Sequence, residues 1–368
     1  MIINHVSEKD IFSTFTQLDG FIHMERDPSF TKYIRIGDII IRIISYSQEY
    51  LWHIENQFTL VLCDKCEHYD CTLVIWKENK FSNLIKNIIK GDNTSAIYRQ
   101  YRIHKLHQSS PLDHFVIYNE NILHAKPLLE INCTSNLVMG WNPLTNTYYY
   151  ADHDLSSEEF IKRGHAFVQI IARIVKRKNS NLAHGAVVGL NNTGVLLCGK
   201  GYRGKSTFSV QALLDEFEYV SDDYIMIEKD NTDVYASPIY SIITLHPHMW
   251  QKFSHILDAK FISNNARKDK YVFNISKYHR LFRRKYPIKI AMMLNICHCK
   301  EPSIEEGYKY QAMDEFICSS VAQTGDMQDV STIAKLEAFI KDLPFYRINL
   351  STNLEKNVEC LKNFLQHK

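Results

Sequence analysis

The chain has 368 residues, 45% of them apolar and 23% charged, and its 43 Lys plus Arg against 41 Asp plus Glu leave a net charge of +2. At about 150 residues per domain this length suggests two or three domains. The balanced charge gives no field to recruit nucleic acid or an anionic membrane, and 13 Gly with 9 Pro exclude collagen-like and low-complexity arrays. No run of about 18 apolar residues occurs, so no membrane-spanning helix is expected. Met1-Ile2-Ile3-Asn4-His5 carries no basic segment ahead of an apolar one, so no signal peptide is expected. Nine scattered cysteines, an odd number, fit free thiols in a reducing cytoplasm.

Residues 1–155 read as an α+β domain rich in strands. Ser7–Leu18 suggests a short opening helix. Tyr33–Ser45 suggests two strands about Gly37-Asp38. Phe58–Cys63 and Cys71–Trp76 flank seven polar residues and suggest a hairpin. Phe115–Tyr118 and Tyr148–Tyr150 are further strands, with Asn142-Pro143 and Thr145-Asn146 in a turn. A helix then runs from a cap at Ser156 or Ser157 through Phe160, Phe167, Ile171 and Ile174 to a basic end at Lys176-Arg177-Lys178. The composition changes near residue 155, which sets the second domain at 156–368.

From Leu182 the pattern becomes α/β. Ala183–Leu190 and Gly194–Cys198 are strands about Asn191-Asn192. A glycine-rich loop and a helix from Lys205 to about Glu216 follow. Strands are expected at Tyr219–Ser221, Ile239–Leu245 and Ile288–Ile296. The C-terminus reads helix (332–343), strand (346–350) and helix (353–365), the last capped by Ser351 or Thr352.

The loop Gly199-Lys200-Gly201-Tyr202-Arg203-Gly204-Lys205-Ser206 fits G-x-x-x-x-G-K-[ST] at every fixed position. Glycines let successive N–H groups converge on an anion. The following helix aims its positive end at the same point. The Lys205 ammonium suits β- and γ-phosphates, and the Ser206 hydroxyl suits Mg²⁺. Asp222-Asp223 ends the next strand, 17 positions after Lys205. One carboxylate can hold Mg²⁺ while the other takes a proton from an attacking hydroxyl. His184-Gly185 lies on the strand pair ahead of the loop, which places His184 at the same site.

The set Leu182–Gly185, Gly194–Gly199, Gly204–Thr207 and Val220–Asp223 resembles the HPr kinase/phosphorylase family and, more loosely, the phosphoenolpyruvate-carboxykinase-like P-loop fold. The resemblance covers about 45 residues, Ala183 to Glu228, and is absent over 1–155. It implies an α/β kinase domain with a mixed sheet over 156–368, preceded by the α+β domain. It implies transfer of the ATP γ-phosphate to a serine-type hydroxyl. Gly199, Lys200, Gly201, Tyr202, Arg203, Gly204, Lys205, Ser206 and Thr207 would bind ATP, and Ser206 and Asp223 would bind Mg²⁺. Asp222 or Asp223 would be the base, with His184 beside the reacting phosphate. The family carries a metal-assisting Glu after the Asp pair, whereas Pro238–Pro247 has no acidic residue and Glu228 is the substitute nearby. The N-terminal half differs from the sugar-regulation enzyme, which points away from the HPr carrier and toward a tailoring kinase acting on a peptide, protein or small-molecule hydroxyl. The resemblance also implies a homo-oligomer and leaves the reverse phosphorylase reaction open. A P-loop ATPase and a nucleotide-binding scaffold are the rival readings.

Other clusters carry less. Cys63-x2-Cys66-x-His68-x2-Cys71 is too compressed for two separated zinc-ligand pairs and reads as exposed turn residues. Alternation would put Cys297 and Cys299 apart from His298 on the strand faces. Arg280, Arg283, Arg284 and Lys285 read as a solvated helix face, Arg267 and Lys270 as candidate cations for transfer, and Glu305–Gln311 as a lid or substrate loop.

Overall fold

A computed structural model describes residues 31–76, 114–117, 129–132, 137–142, 144–152, 164–265, 270–324 and 330–368. The chain divides into two compact units. Met1–Ile34, Ile40–His53 and Cys63–Ile161 form one, and Arg35–Ile39, Ile54–Leu62 and Lys162–Lys368 form the other. The expected helix at 7–18 and the expected cap at 156–157 lie outside the described residues.

The N-terminal elements are β1 (Thr31–Ile36), β2 (Ile39–Ser45), α1 (Gln48–Gln57), β3 (Leu62–Cys63), β4 (Cys71–Trp76), β5 (His114–Ile117), β6 (Leu129–Asn132), β7 (Leu137–Asn142) and β8 (Thr147–Asp152). Their strands form one sheet in the order β3-β1-β2-β4-β8-β7-β6-β5. Ile39, Ile41 and Ile43 alternate inward along β2 with half-buried neighbours, the period of a strand with one covered face. The hairpin expected from 58–63 and 71–76 does not form. Tyr50, Leu51, Ile54 and Phe58 are buried at helical spacing, so the chain before Phe58 is helix α1. Strand β4 pairs instead, in parallel, with β2 and β8.

The C-terminal unit contains α2 (Val168–Val175), β9 (Ser180–His184), β10 (Ala186–Leu190), β11 (Thr193–Cys198), α3 (Lys205–Leu214), β12 (Glu218–Ser221), β13 (Tyr224–Asp230), β14 (Asp233–Pro238) and β15 (Ile242–Leu245). It continues with α4 (Pro247–Phe253), β16 (Lys260–Asn265), β17 (Lys270–Asn274), β18 (Tyr286–Cys299), β19 (Ser303–Glu306), α5 (Lys309–Thr324), α6 (Val330–Ile340), β20 (Phe345–Ser351) and α7 (Leu354–Gln366). The main sheet runs β12-β10-β11-β18-β14-β13-β9, with β20 added beside β18 and β19 beside β20. Strands β11, β18 and β20 run parallel to their neighbours in that group, and the other pairs are antiparallel, so this is a mixed α/β sheet. The apolar run Val195–Cys198 is buried throughout, as a parallel strand covered on both faces requires. Leu196 and Cys198 enter one cluster with Met313 and Phe316 of α5 and Leu336 and Phe339 of α6. A separate antiparallel sheet, β15-β17-β16, stands after it.

The structure redraws several boundaries. The expected strand 183–190 is two strands, because at Gly185 the backbone leaves the β13 pairing and joins that of β11 and β12. Helix α2 starts at Val168, after Phe167 in the left-handed region at φ 62°. The last helix is capped by Asn353, whose side chain accepts from Lys356 N at 3.0 Å, and not by Ser351 or Thr352. The expected loop at 305–311 ends a strand and opens α5. A register irregularity between Ile296 and Cys299 breaks the alternation of β18 and leaves the Cys297 and Cys299 sulfurs 2.7 Å apart. Among the described residues, no helix is long and apolar enough to cross a membrane, and no group of three metal-ligating side chains is present.

Candidate active site

Three strand ends converge on the site. Strand β11 delivers the loop 199–204, β12 ends at Ser221 just before Asp222-Asp223, and β9 ends at His184. Both β11 and β12 run antiparallel to β10, so their carboxyl ends point the same way. His184 is paired with Tyr224, next to the Asp pair, and Gly185 N donates to Asp223 O at 2.8 Å.

The loop turns through Gly199 (φ 142°), Tyr202 (φ 66°) and Gly204 (φ 86°), left-handed conformations that only the glycines adopt without strain. Gly204 is the N-cap of α3. A side chain at Gly201 would meet nothing within 4 Å, so the loop mouth is open there. The Lys205 ammonium curls back to donate to Gly199 O at 2.6 Å and Lys200 O at 3.2 Å. Burial pushes its pKa below the ordinary lysine value, with Asp223 the leading opposing charge. Ser206 and Thr207 are half-buried on the first turn of α3. From α5, the buried Glu315 accepts from Lys200 N and from the Arg203 guanidinium, each at 3.4 Å, and so buttresses the loop.

The two aspartates have different surroundings. Asp223 Oδ1 lies 2.7 Å from His184 Nε2, and its Oδ2 lies 3.1 Å from His165 Nε2. Burial alone would raise this carboxyl, but the two imidazoles hold it well below the usual carboxylate range. Asp222 is 2% exposed, and its Oδ2 accepts from Thr244 N at 3.2 Å. Burial, and then the charge of Asp223, push it up to about 6. His184 is itself seated by Ser319 Oγ, 3.1 Å from its Nδ1, and by Ser320 Oγ on its backbone N–H at 2.9 Å. Burial lowers its pKa below the ordinary histidine value despite the neighbouring carboxylate.

His165 was not indicated by any sequence motif. It precedes α2, and the edges of its ring meet Tyr224 and Tyr240 at centroid distances of 4.7 and 5.4 Å. Lys270, a candidate cation in the sequence, opens β17 and places its ammonium 3.4 Å from Thr244 Oγ1, on the Asp222 side of the site. Arg267 lies outside the described residues.

Other candidates are elsewhere. Glu228 sits at the far end of β13, opposite Ser180, and pairs with Lys285 at 2.6 Å, which removes it as a metal ligand. Arg283 pairs with Glu218 at 2.8 Å, and Lys285 also reaches Asp38 at 2.9 Å. These cations fasten the fold rather than a phosphate, and the stretch 279–285 is turns rather than a helix face. Cys71 is buried at the start of β4, while Cys63 and Cys66 are half-buried.

No family model matches the chain, and no curated protein matches it. The HPr(Ser) kinase/phosphatase from Coxiella burnetii is a distant structural match, 12% identical over 51% of this chain and 97% of that one, with a TM-score of 0.30.

Proposed function

We propose that this protein is a magnesium- and ATP-dependent kinase that transfers a γ-phosphoryl group to a hydroxyl acceptor. The observation that carries this reading is the loop Gly199–Ser206 with Lys205 at its base, facing two aspartates of unlike environment at the same site. The residues fit the groups required. The loop offers converging N–H groups, a helix N-terminus and a desolvated ammonium to a polyphosphate. Ser206 and Asp223 offer the hard oxygen donors that magnesium takes, and one or two such ligands suffice where phosphate supplies the rest.

Bound magnesium would neutralise charge on the phosphates. The protein's own residues do the remaining work. Lys205 turns from the loop carbonyls to the phosphate oxygens. Both oxygens of Asp223 are engaged by imidazoles, so it remains a fixed anion that positions Lys205 and the metal. Asp222 spends one oxygen on Thr244 and takes the acceptor's proton with the other. Lys270 stands on that same side and offsets charge on the transferred group. His184 and His165 hold Asp223 in place. Residues 1–155 carry further recognition of the acceptor, and the protein works in the cytoplasm.

The test is single-turnover transfer from γ-labelled ATP to a panel of serine peptides, hydroxylated metabolites and carrier proteins. Asp222→Asn abolishes acceptor labelling while ATP still binds. Asp223→Asn weakens nucleotide and metal binding as well. Label released only as inorganic phosphate in the presence of every acceptor would replace the kinase reading with an ATPase.

A further inference from the structure

Tyr202 is the fourth residue of the G-x-x-x-x-G-K-S loop, and 79% of its surface is exposed. Its ring does not stand alone in solvent. It stacks on His246, with centroids 5.5 Å apart and planes 24° apart, and His246 stacks on His248 at 5.7 Å and 19°. Three rings thus form a ladder of near-parallel planes, half-buried at His246 and exposed at both ends. An outward aromatic ring at a loop tip is ordinarily a solubility liability. A loop residue held at positive φ to put its ring on this ladder implies a use for the exposed face.

The ladder's location decides what that use is. His246 directly follows β15, two residues beyond Thr244, whose backbone N–H donates to Asp222. Residues two apart on a strand share a face. The register pairs Thr244 with Val272 and Leu245 with Tyr271, so Lys270, two residues before Val272, shares the face of Thr244 and reaches its Oγ1 at 3.4 Å. The order along the wall is therefore Asp222, Thr244, Lys270, His246, Tyr202. The rings line the side of the site that holds the proton-accepting carboxylate.

We propose that the Tyr202–His246–His248 ladder is an acceptor subsite that stacks a planar aromatic group lying next to the hydroxyl to be phosphorylated. This rests on the kinase reading for the word acceptor, while the recognition itself is a binding property. The aromatic group can be a side chain flanking a serine in a peptide, or the ring of a small aryl alcohol. Both present the same flat π-face to Tyr202.

The probes are matched pairs. One is N-acetyl-Ser-Phe-amide against its cyclohexylalanine counterpart, and the other is benzyl alcohol against cyclohexylmethanol. Each is titrated by NMR into the full chain loaded with Mg²⁺ and a non-hydrolysable ATP analogue. The expected result is that the aromatic member binds about fivefold tighter than its saturated partner, the scale of one aromatic stacking pair. Ring-current shifts should appear on the Tyr202 signals, which are assigned by their loss in Tyr202→Leu. The preference falls to about one in Tyr202→Leu and is kept in Tyr202→Phe. Preference in the dipeptide pair alone names a peptide acceptor, and preference in the alcohol pair alone names a free aryl alcohol. Equal binding within both pairs, or no binding of either aromatic member, overturns the proposal. So does a Tyr202→Leu variant that loses nucleotide affinity while the aromatic preference stays, since the ladder would then carry adenine. An intact preference without phosphoryl transfer would sink the kinase reading and leave the aromatic subsite standing.

Discussion

His165 and His184 grip opposite oxygens of Asp223, at 3.1 and 2.7 Å, one from the stretch ahead of α2 and the other from the last residue of β9. A largely buried carboxylate with each oxygen engaged by an imidazole is held in place, and removing one partner leaves an oxygen short of its hydrogen bond. His165→Ala should therefore lower unfolding free energy by about 1–3 kcal/mol. His184→Ala, at the shorter and more buried contact, should cost at least as much. Urea denaturation at pH 7 checks both. An unchanged midpoint for His165→Ala would show that the contact carries no weight.

The Gly194 position tests how the phosphate loop is aimed. Strand β11 passes β18 so closely at Gly194 that a Cβ there would collide with the Pro287 carbonyl, and it would meet the Tyr286 ring at 2.9 Å. Backbone cannot swing away as a long side chain can. Gly194→Ala should destabilise by about 1–3 kcal/mol, the usual cost of overpacking. Gly201→Ala, where a Cβ meets nothing within 4 Å, should leave stability within about 0.5 kcal/mol of the wild type. Thermal and urea unfolding of the two variants, side by side, provide the comparison.

A pH-dependent stability term is expected from Glu218. Burial would raise this carboxyl, but the Tyr286 hydroxyl and the Arg283 guanidinium outweigh it and hold it below the ordinary value of 4.5. A depressed folded pKa stabilises above the unfolded pKa, and that stabilisation is lost as pH falls through the folded value. Glu218→Gln should thus be less stable than the wild type at pH 7, by about 1 kcal/mol for a partly exposed pair. The gap should narrow as pH drops below 4.5. A gap of constant size down to strongly acid pH would contradict the charge-based account.

The parts of the site legible in the sequence are those written in short local patterns. The glycines, Lys205 and Ser206 lie within one turn and helix start, and Asp222-Asp223 directly follows the next strand. His184 was legible through its distance along the chain from the loop. His165 was not, because a lone histidine ahead of a helix carries no spacing signal, and only the fold brings it to Asp223. Glu315 was hidden likewise: it lies on α5, whose Met313, Phe316 and Ser320 face the sheet while Lys309, Tyr310 and Gln311 face solvent. Helix α1 was not assigned in the sequence, and the strand expected at Phe58–Cys63 shrank to Leu62–Cys63, because the helical spacing of Tyr50, Leu51 and Ile54 runs directly into the β-like Thr59–Cys63. The division of strand 183–190 at Gly185 depended on which neighbours the two halves pair with, which local pattern does not carry.

The central claim is that Lys205 and the Asp pair transfer phosphate to a hydroxyl, and one measurement tests it most directly. Wild type, Lys205→Ala and Asp222→Asn are each incubated with γ-labelled ATP, Mg²⁺ and the acceptor panel, with label followed in acceptor and in free phosphate. The account predicts label in one acceptor class with the wild type, and loss of about a hundredfold or more in each variant. Acceptor labelling that persists at the wild-type rate in Lys205→Ala would contradict it.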